Sequence, residues 1–368
     1  MSWTFQTIVH PKYGGELDAC ILMKRTYAID NDRVVAKDAP PELVESDLYD
    51  GDNFLGGEVL AESDLVACKE HTDVVVTGSV HAPGGRTAYH VDCGVRVGPL
   101  SKTLRAWGDR DATIGTFGSV SIADPQPFTS MPLGYCRAYG GKARGGSGET
   151  HSYARNPIGT GYLVRGGVRR GDRIAMPNFE DPAEPVTAET LGPYKPGEWQ
   201  LAPKPVSLGW TRRDFHPRYT YAGVLPAHLE AARESAAAVG KTATHDLTVP
   251  PMDPRFYQGA SEGLWGGPLA GDEPVSLRHL DPVLPHQQFA LPGDRPRVDV
   301  SLAGTRLEPP VTLQTVVIDK NTDTLSLVWR AAVALEYIEQ FAMLTVWVES
   351  DGGHSGSVEE AFALAGGR

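Results

Sequence analysis

The chain has 368 residues, 41% of them hydrophobic, which supplies a sizeable buried core and excludes disorder of the whole chain. Its net charge of −12 opposes generic binding to a phosphate backbone, and no stretch approaches the length of continuous apolar sequence that a membrane span needs. Glycine (41) and proline (29) together favour turns, which suits short strands better than long helices.

Residues 1–18 read as a lead-in without the basic segment and apolar run of a secretory signal. Residues 19–30 read as a strand, buried at its start and alternating at its end, with Arg25, Tyr27 and Ile29 on one face. Residues 38–53, with Pro40-Pro41 and several acids, predict a mobile surface loop. The densest β signal spans 73–110. Residues 73–80 form a β-branched run that ends in a turn at His81-Ala82-Pro83-Gly84-Gly85. Residues 87–97 then alternate: Tyr89, Val91, Cys93, Val95 and Val97 fall on one face, His90, Asp92, Gly94 and Arg96 on the other. Gly98-Pro99 turns the chain into a strand at 101–107, so a three-stranded meander is expected.

From 124 to 205, Pro, Gly and polar residues recur. A structureless stretch that long is foreign to a compact domain. Short strands and ordered loops packed by Phe128, Met131, Tyr135, Tyr139 and Tyr162 are expected instead. One or two short surface helices are predicted, at 226–239 between Pro226 and Gly240, and at 357–364. Residues 311–318, 325–333 and 342–348 read as strands. The expected fold is mainly β, an antiparallel β-sandwich-like architecture with long ordered loops. Residues 19–340 form one large domain with a sub-boundary near 124–205, followed by a tail at 341–368.

Motifs for chemistry fail one by one. The Gly/Arg-rich loop 140–148 lacks the order of a phosphate loop, and Ser235 stands where Gly240-Lys241-Thr242 would need a glycine. Val164 replaces the third glycine of a dinucleotide fingerprint begun by Gly159 and Gly161, and no Gly-x-Ser-x-Gly occurs. A Ser/His/Asp triad is spatial and stays open. Cys20, Cys68, Cys93 and Cys136 match no zinc or redox spacing and read as buried free thiols of a soluble, cytoplasmic protein. Alternation sets His90 and Asp92 opposite Cys93, so these residues and His81 read as two exposed polar groups and a buried thiol rather than a metal site. No catalytic residue, metal or cofactor is assigned. The basic stretches 165–173 and 212–218 read as solvated or partner-facing surface, not nucleic-acid sites.

A series of motifs runs in order through the chain. It comprises His71-Thr72-Asp73-Val74-Val75-Val76, Ala82-Pro83-Gly84-Gly85, Val95-Arg96-Val97-Gly98 with Lys102, and Trp107-Gly108-Asp109-Arg110. Pro127-Phe128-Thr129-Ser130-Met131-Pro132-Leu133, Arg137-Ala138-Tyr139-Gly140-Gly141 and Asn156-Pro157-Ile158-Gly159 follow. Pro177-Asn178-Phe179-Glu180-Asp181-Pro182, Asp253-Pro254-Arg255-Phe256-Tyr257 and Trp329-Arg330 complete it. The series resembles the domain-of-unknown-function family twenty-one sixty-nine, found beside bacterial type VI secretion genes. That resemblance implies a cytosolic, non-enzymatic adaptor or chaperone. Its partners would be a toxic effector, often one with a PAAR spike-tip domain, and the VgrG spike onto which the effector is loaded; nucleic acid and membrane are not expected. It carries over no catalytic residue. The loops 140–148 and 165–173 look individual to this chain.

Partner-binding candidates are Trp107, Asp109, Arg110, Arg137, Trp210, Arg212 and Arg213, because Trp and Arg dominate binding hot spots. Beside that stands a structural reading: a packed Trp107 with an Asp-Arg pair closing a turn, and a buried Trp210. The rival functions are a hydrolase using carboxylates on the 124–205 loops and a structural component of the secreted particle. Convergent acids or histidines in a deep polar pocket would mark the enzyme, a broad apolar groove the adaptor.

Overall fold

The computed structural model describes residues 3–11, 17–39, 42–51, 57–66, 68–222, 253–349 and 356–357. The helix expected at 226–239 lies outside the described residues, and so does all but the first residue of the one expected at 357–364.

The largest sheet has seven strands, built around Leu17–Asp30. Residues 19–23 are wholly buried because the strand is covered on both faces and flanked by Thr4–Pro11 and Thr324–Leu335. Further on, Arg25, Tyr27 and Ile29 point inward while the residues between them are partly wet, as the alternation predicts. Asn31, at φ 53°, then turns the chain into Arg33–Ala36. A short amide side chain tolerates that left-handed conformation at little cost. Beyond Thr324–Leu335 the order continues through Thr312–Asp319, Thr72–Thr77 and Trp265–Gly266. Every pairing in this sheet is antiparallel except that of Thr312–Asp319 with Thr72–Thr77.

A five-stranded sheet orders Phe179–Glu180, Leu100–Trp107, His90–Val97, Pro274–Arg278 and His286–Ala290. Its centre is the predicted hairpin, in register from His90↔Trp107 to Val97↔Leu100 across the Gly98-Pro99 turn. Val91, Cys93, Val95 and Val97 face inward. Tyr89 departs from that face: it precedes the strand and is 61% exposed. A four-stranded sheet joins Thr305–Leu307, Arg297–Leu302, Leu344–Glu349 and Gly356–Ser357. One continuous apolar cluster takes side chains from all three sheets, including Ile21, Tyr27, Leu104, Val275, Val300 and Val346.

The expected meander is corrected at its first strand. The run 73–80 breaks at Gly78, whose φ is +135° and whose Cβ would lie 2.8 Å from Lys320 Cβ. Thr72–Thr77 therefore joins the large sheet, and Ser79–His81 pairs with Ser130–Pro132. A glycine within a β run marks such a bend or close approach. The described part of the 38–53 loop is also tied down rather than mobile. Leu48–Tyr49 pairs with Val59–Ala61, and Asp47 accepts a hydrogen bond from Ser63 N at 2.9 Å. Burial of the thiols holds for Cys20 and Cys93, while Cys68 is half-buried. Cys136 is exposed because it sits in a single 3-10 turn, Tyr135–Arg137, and not in a strand.

Within 124–205 the expected short strands are present, and the aromatic residues divide among three clusters. Phe128 and Met131 pack on the main core, while Tyr135 packs with Ala138 and Phe215. Tyr139 and Tyr162 join Ala112, Ile114, Tyr153, Leu163, Val164 and Leu191 in a second core. No helix among the described residues is long and apolar enough to cross a membrane.

Candidate functional site

The chain leaves the five-stranded sheet at Trp107-Gly108-Asp109-Arg110 and returns to it at Phe179–Glu180, which pairs with Arg105 and Ala106. Side chains knit the two crossings into a neck. Trp107 Nε1 donates to Glu180 Oε2 at 3.1 Å, and the Arg110 guanidinium lies 4.5 Å from the Trp107 ring centre while pairing with Glu180. Asn178 Nδ2 donates to Trp107 O at 3.1 Å and Asp109 Oδ1 at 2.9 Å. Arg137 Nη1 reaches Asn178 Oδ1 at 3.3 Å. Gly108 admits no side chain, since a Cβ would meet Gln126 O at 1.7 Å. Burial pushes the Glu180 carboxyl above the usual carboxylate range, opposed by Arg110. Four of the predicted partner residues thus meet in one place, and all four have internal partners there.

On the same hairpin, Asp92 receives both Arg105 Nε at 2.7 Å and Arg105 Nη2 at 2.9 Å, directly across the strands. His90 packs on Trp107 at 4.9 Å between ring centres. His90, Asp92 and Cys93 therefore do not converge, and no group of three metal-ligating side chains exists among the described residues.

The other three candidates lie in a different network. Trp210 is 6% exposed and Arg212 2%, so neither is displayed at the surface. Arg212 grips Asp214 through two bonds of 2.8 and 2.9 Å, and half-buried Arg213 reaches Asp47 at 3.1 Å. Beside them Arg218 pairs with Glu62, and Lys69 pairs with the wholly buried Asp73 at 2.6 Å while lying 5.8 Å from the Trp210 ring centre. Asp73 also accepts from Gln258 Nε2 and Gly259 N, both at 2.8 Å. A buried charge is tolerated only when paired and hydrogen-bonded in this way. The arginines of this stretch tie together chain segments that are remote in sequence.

Beyond the neck the second core carries an open cleft of about 400 Å³. One wall comes from Lys142–Arg144, which forms a hairpin with Thr150–Ser152; another from Arg173–Ala175, which pairs with Asp111–Ile114 just after the neck. Gly140, Gly141, Gly159, Gly161 and Gly167 line it as well. The loops 140–148 and 165–173 pack directly on each other here. A Cβ on Gly167 would lie 1.6 Å from Arg144 O, and one on Gly166 would lie 3.3 Å from Gly146 Cα.

The two loops carry six exposed cations, Lys142, Arg144, Arg165, Arg169, Arg170 and Arg173, of which Lys142, Arg144 and Arg173 line the cleft. Arg173 pairs with Asp111 at 2.5 Å, Arg165 has Glu198 near enough to lower that carboxyl, and the other four have no ion-pair partner among the described residues. The local acids are already engaged. Asp172 Oδ2 accepts from Arg169 N at 2.7 Å, and Glu149 accepts from Ser147 Oγ at 2.5 Å and bonds His151 Nε2 at 3.0 Å. The Ser147 hydroxyl, helped by His151, draws the Glu149 carboxyl down to about 2. Residues 137–175 contain eight Lys/Arg against two Asp/Glu, although the chain as a whole carries −12.

The sequence model of the DUF2169 family, described as an uncharacterized protein conserved in bacteria, matches residues 14–330. The chain belongs to this family. No curated protein and no solved structure matches it. Within the DUF2169 region the neck motif, Trp107 to Arg110, is explained by internal packing, and so is the motif around Asp73. Sequence reasoning noticed both cationic loops but not their union. The glycines at 146, 166 and 167 were its one local signal, since paired glycines allow two backbones to touch.

Proposed function

We propose that this DUF2169 protein is a non-enzymatic adaptor that works in the cytoplasm, binds a type VI secretion effector and helps to load it onto the VgrG spike. The family resemblance supplies the system. The observation that carries a binding role is the contrast in how charge is used. Buried ionic groups satisfy one another, as in Lys69–Asp73 and Arg110–Glu180, whereas an open cleft presents exposed Lys142 and Arg144, which have no ion-pair partner among the described residues.

Several carboxylates on the 124–205 segment are engaged in holding the fold, which weakens the hydrolase reading. Asp181 caps Ala183 N at 2.8 Å, Glu180 sits in the neck, and Glu149 is held by its own hairpin. The cleft is not the broad apolar groove expected of an adaptor: glycines and the charged side chains of Lys142, Arg144, Asp172 and Arg173 interrupt its apolar lining. Recognition by charge complementarity fits that surface better than shielding of apolar sequence.

The test is co-purification of the tagged full chain from a native lysate, with the products of neighbouring genes as the expected partners. Recovery of an effector or a spike protein in stoichiometric amount supports the reading. Recovery of neither overturns it.

A further inference from the structure

We infer that the cleft between loops 140–148 and 165–173 is the docking site, and that its occupant is an acidic, extended stretch of the partner polypeptide. This rests on the adaptor reading for the identity of the partner, but not for the chemistry of the site.

Three observations carry it. Lys142 and Arg144 line the cleft, exposed and without an ion-pair partner among the described residues, and the adjoining loop adds exposed Arg169 and Arg170, while the remainder of the chain is strongly acidic. Complementary charge at a local site steers a carboxylate-rich segment to it and away from the acidic surface around it.

The outer edge of the hairpin is covered by Gly167 at Arg144 O, while Lys142 has no backbone hydrogen bond on that side among the described residues. Gly145 N donates to Glu149 O at 2.8 Å and Tyr153 N to Gly141 O at 2.9 Å, which places Ala143↔His151 at a hydrogen-bonded position between them. Lys142 and Arg144 then turn their own N–H and C=O groups away from the hairpin. Arg144 O lies against Gly167, so this edge faces the cleft. An extended peptide could pair with Lys142 there as an added strand, its acidic side chains meeting the arginines.

Finally, five glycines, at 140, 141, 159, 161 and 167, are part of the lining, which lets a ligand backbone approach closely there. Among the described residues Tyr162 is the aromatic side chain that lines the cleft, and at 5% exposure it offers little ring face for stacking bases. That favours a peptide over single-stranded nucleic acid.

Fluorescence anisotropy on the intact protein tests this with three probes: a labelled twelve-residue Asp/Glu-rich peptide, an uncharged Gly/Ser peptide of equal length, and an oligonucleotide of equal charge. The acidic peptide is expected to bind, with an affinity that falls as salt rises. A combined Lys142→Glu, Arg144→Glu and Arg170→Glu variant should lose about tenfold or more, and Arg86→Glu, an exposed arginine outside the cleft, should change nothing. Circular dichroism and the unfolding midpoint confirm that the variants remain folded. No binding of the peptide, equal loss in Arg86→Glu, or tighter binding of the oligonucleotide would each overturn the inference. So would undiminished capture of the native partner by the triple variant, which leaves the adaptor reading standing. If wild type captures no partner yet the acidic peptide binds in this cleft, the adaptor reading falls and the site remains.

Discussion

Two arginine-rich stretches, 165–173 and 212–218, look alike in the sequence and do opposite things in the fold. In the second, Arg212, Arg213 and Arg218 each meet a carboxylate, and Glu62, the partner of Arg218, comes from 156 residues away. In the first, Arg169 and Arg170 stand in solvent with no such partner among the described residues, and Arg165 has Glu198 nearby but no ion pair with it. Local charge density therefore says little about whether a cation holds the fold or faces a ligand. What decides is whether the folded chain delivers an acid to it.

The comparison breaks most sharply at Arg218. Replacing it with Met strands the Glu62 carboxylate in the interior, together with the carbonyls of Phe256 and Thr211 that the guanidinium serves. Loss of one partner of a buried ion pair costs about 3 to 5 kcal/mol. Urea unfolding at neutral pH should show a loss of that size. A loss below 1 kcal/mol would mean that Glu62 finds another partner. The neck comes next. Trp107→Phe keeps most of the ring but removes the donor to Glu180, and an unsatisfied buried acceptor costs about 1 to 3 kcal/mol. Hydrogen exchange should then quicken in residues 111–175 more than in the hairpin 90–107, because the neck joins the two.

Much of the architecture was legible because it is written in short-range pattern. The alternation of Val91, Cys93, Val95 and Val97 and the Gly98-Pro99 turn fixed one hairpin, and the apolar run at 19–23 marked a strand covered on both faces. The partner of Thr72–Thr77 was not legible. Its parallel neighbour, Thr312–Asp319, lies far along the chain, and only Gly78 warned that the run would divide. The cleft was half legible for the same reason. Each cationic loop is visible in sequence, but their meeting depends on backbone contacts between Arg144 and Gly167 and between Gly146 and Gly166. Trp210 illustrates the converse, since nothing near it in sequence announces Lys69 as its neighbour.

Lys102 stands between the two kinds of cation and gives a smaller, pH-dependent effect. It is half-buried and donates to Glu262 O at 2.7 Å, with no carboxylate bonded to it. Burial draws its ammonium down to about 8, with Glu262 opposing. Between that value and the usual lysine range of about 10.4, the unfolded chain binds the proton that the folded chain has lost, so stability should rise with pH. The slope of the urea midpoint between pH 8 and 10 should shrink in Lys102→Met. An unchanged slope would show that Lys102 keeps its proton in the fold.

The smallest effect is expected where the cations have no work in the fold. Arg169 and Arg170 are exposed, adjacent in sequence and close to other positive charge, so each gains little from the folded state and repels its neighbours. Arg169→Gln with Arg170→Gln should leave the unfolding midpoint within about 0.5 kcal/mol of wild type, and the sign should be stabilising at low salt. The same variant should weaken acidic-peptide binding. A site whose charges are dispensable for stability yet needed for binding is one maintained for its ligand, and that is the difference between 165–173 and 212–218. A destabilisation above 1 kcal/mol would instead place these arginines among the structural cations and remove the contrast.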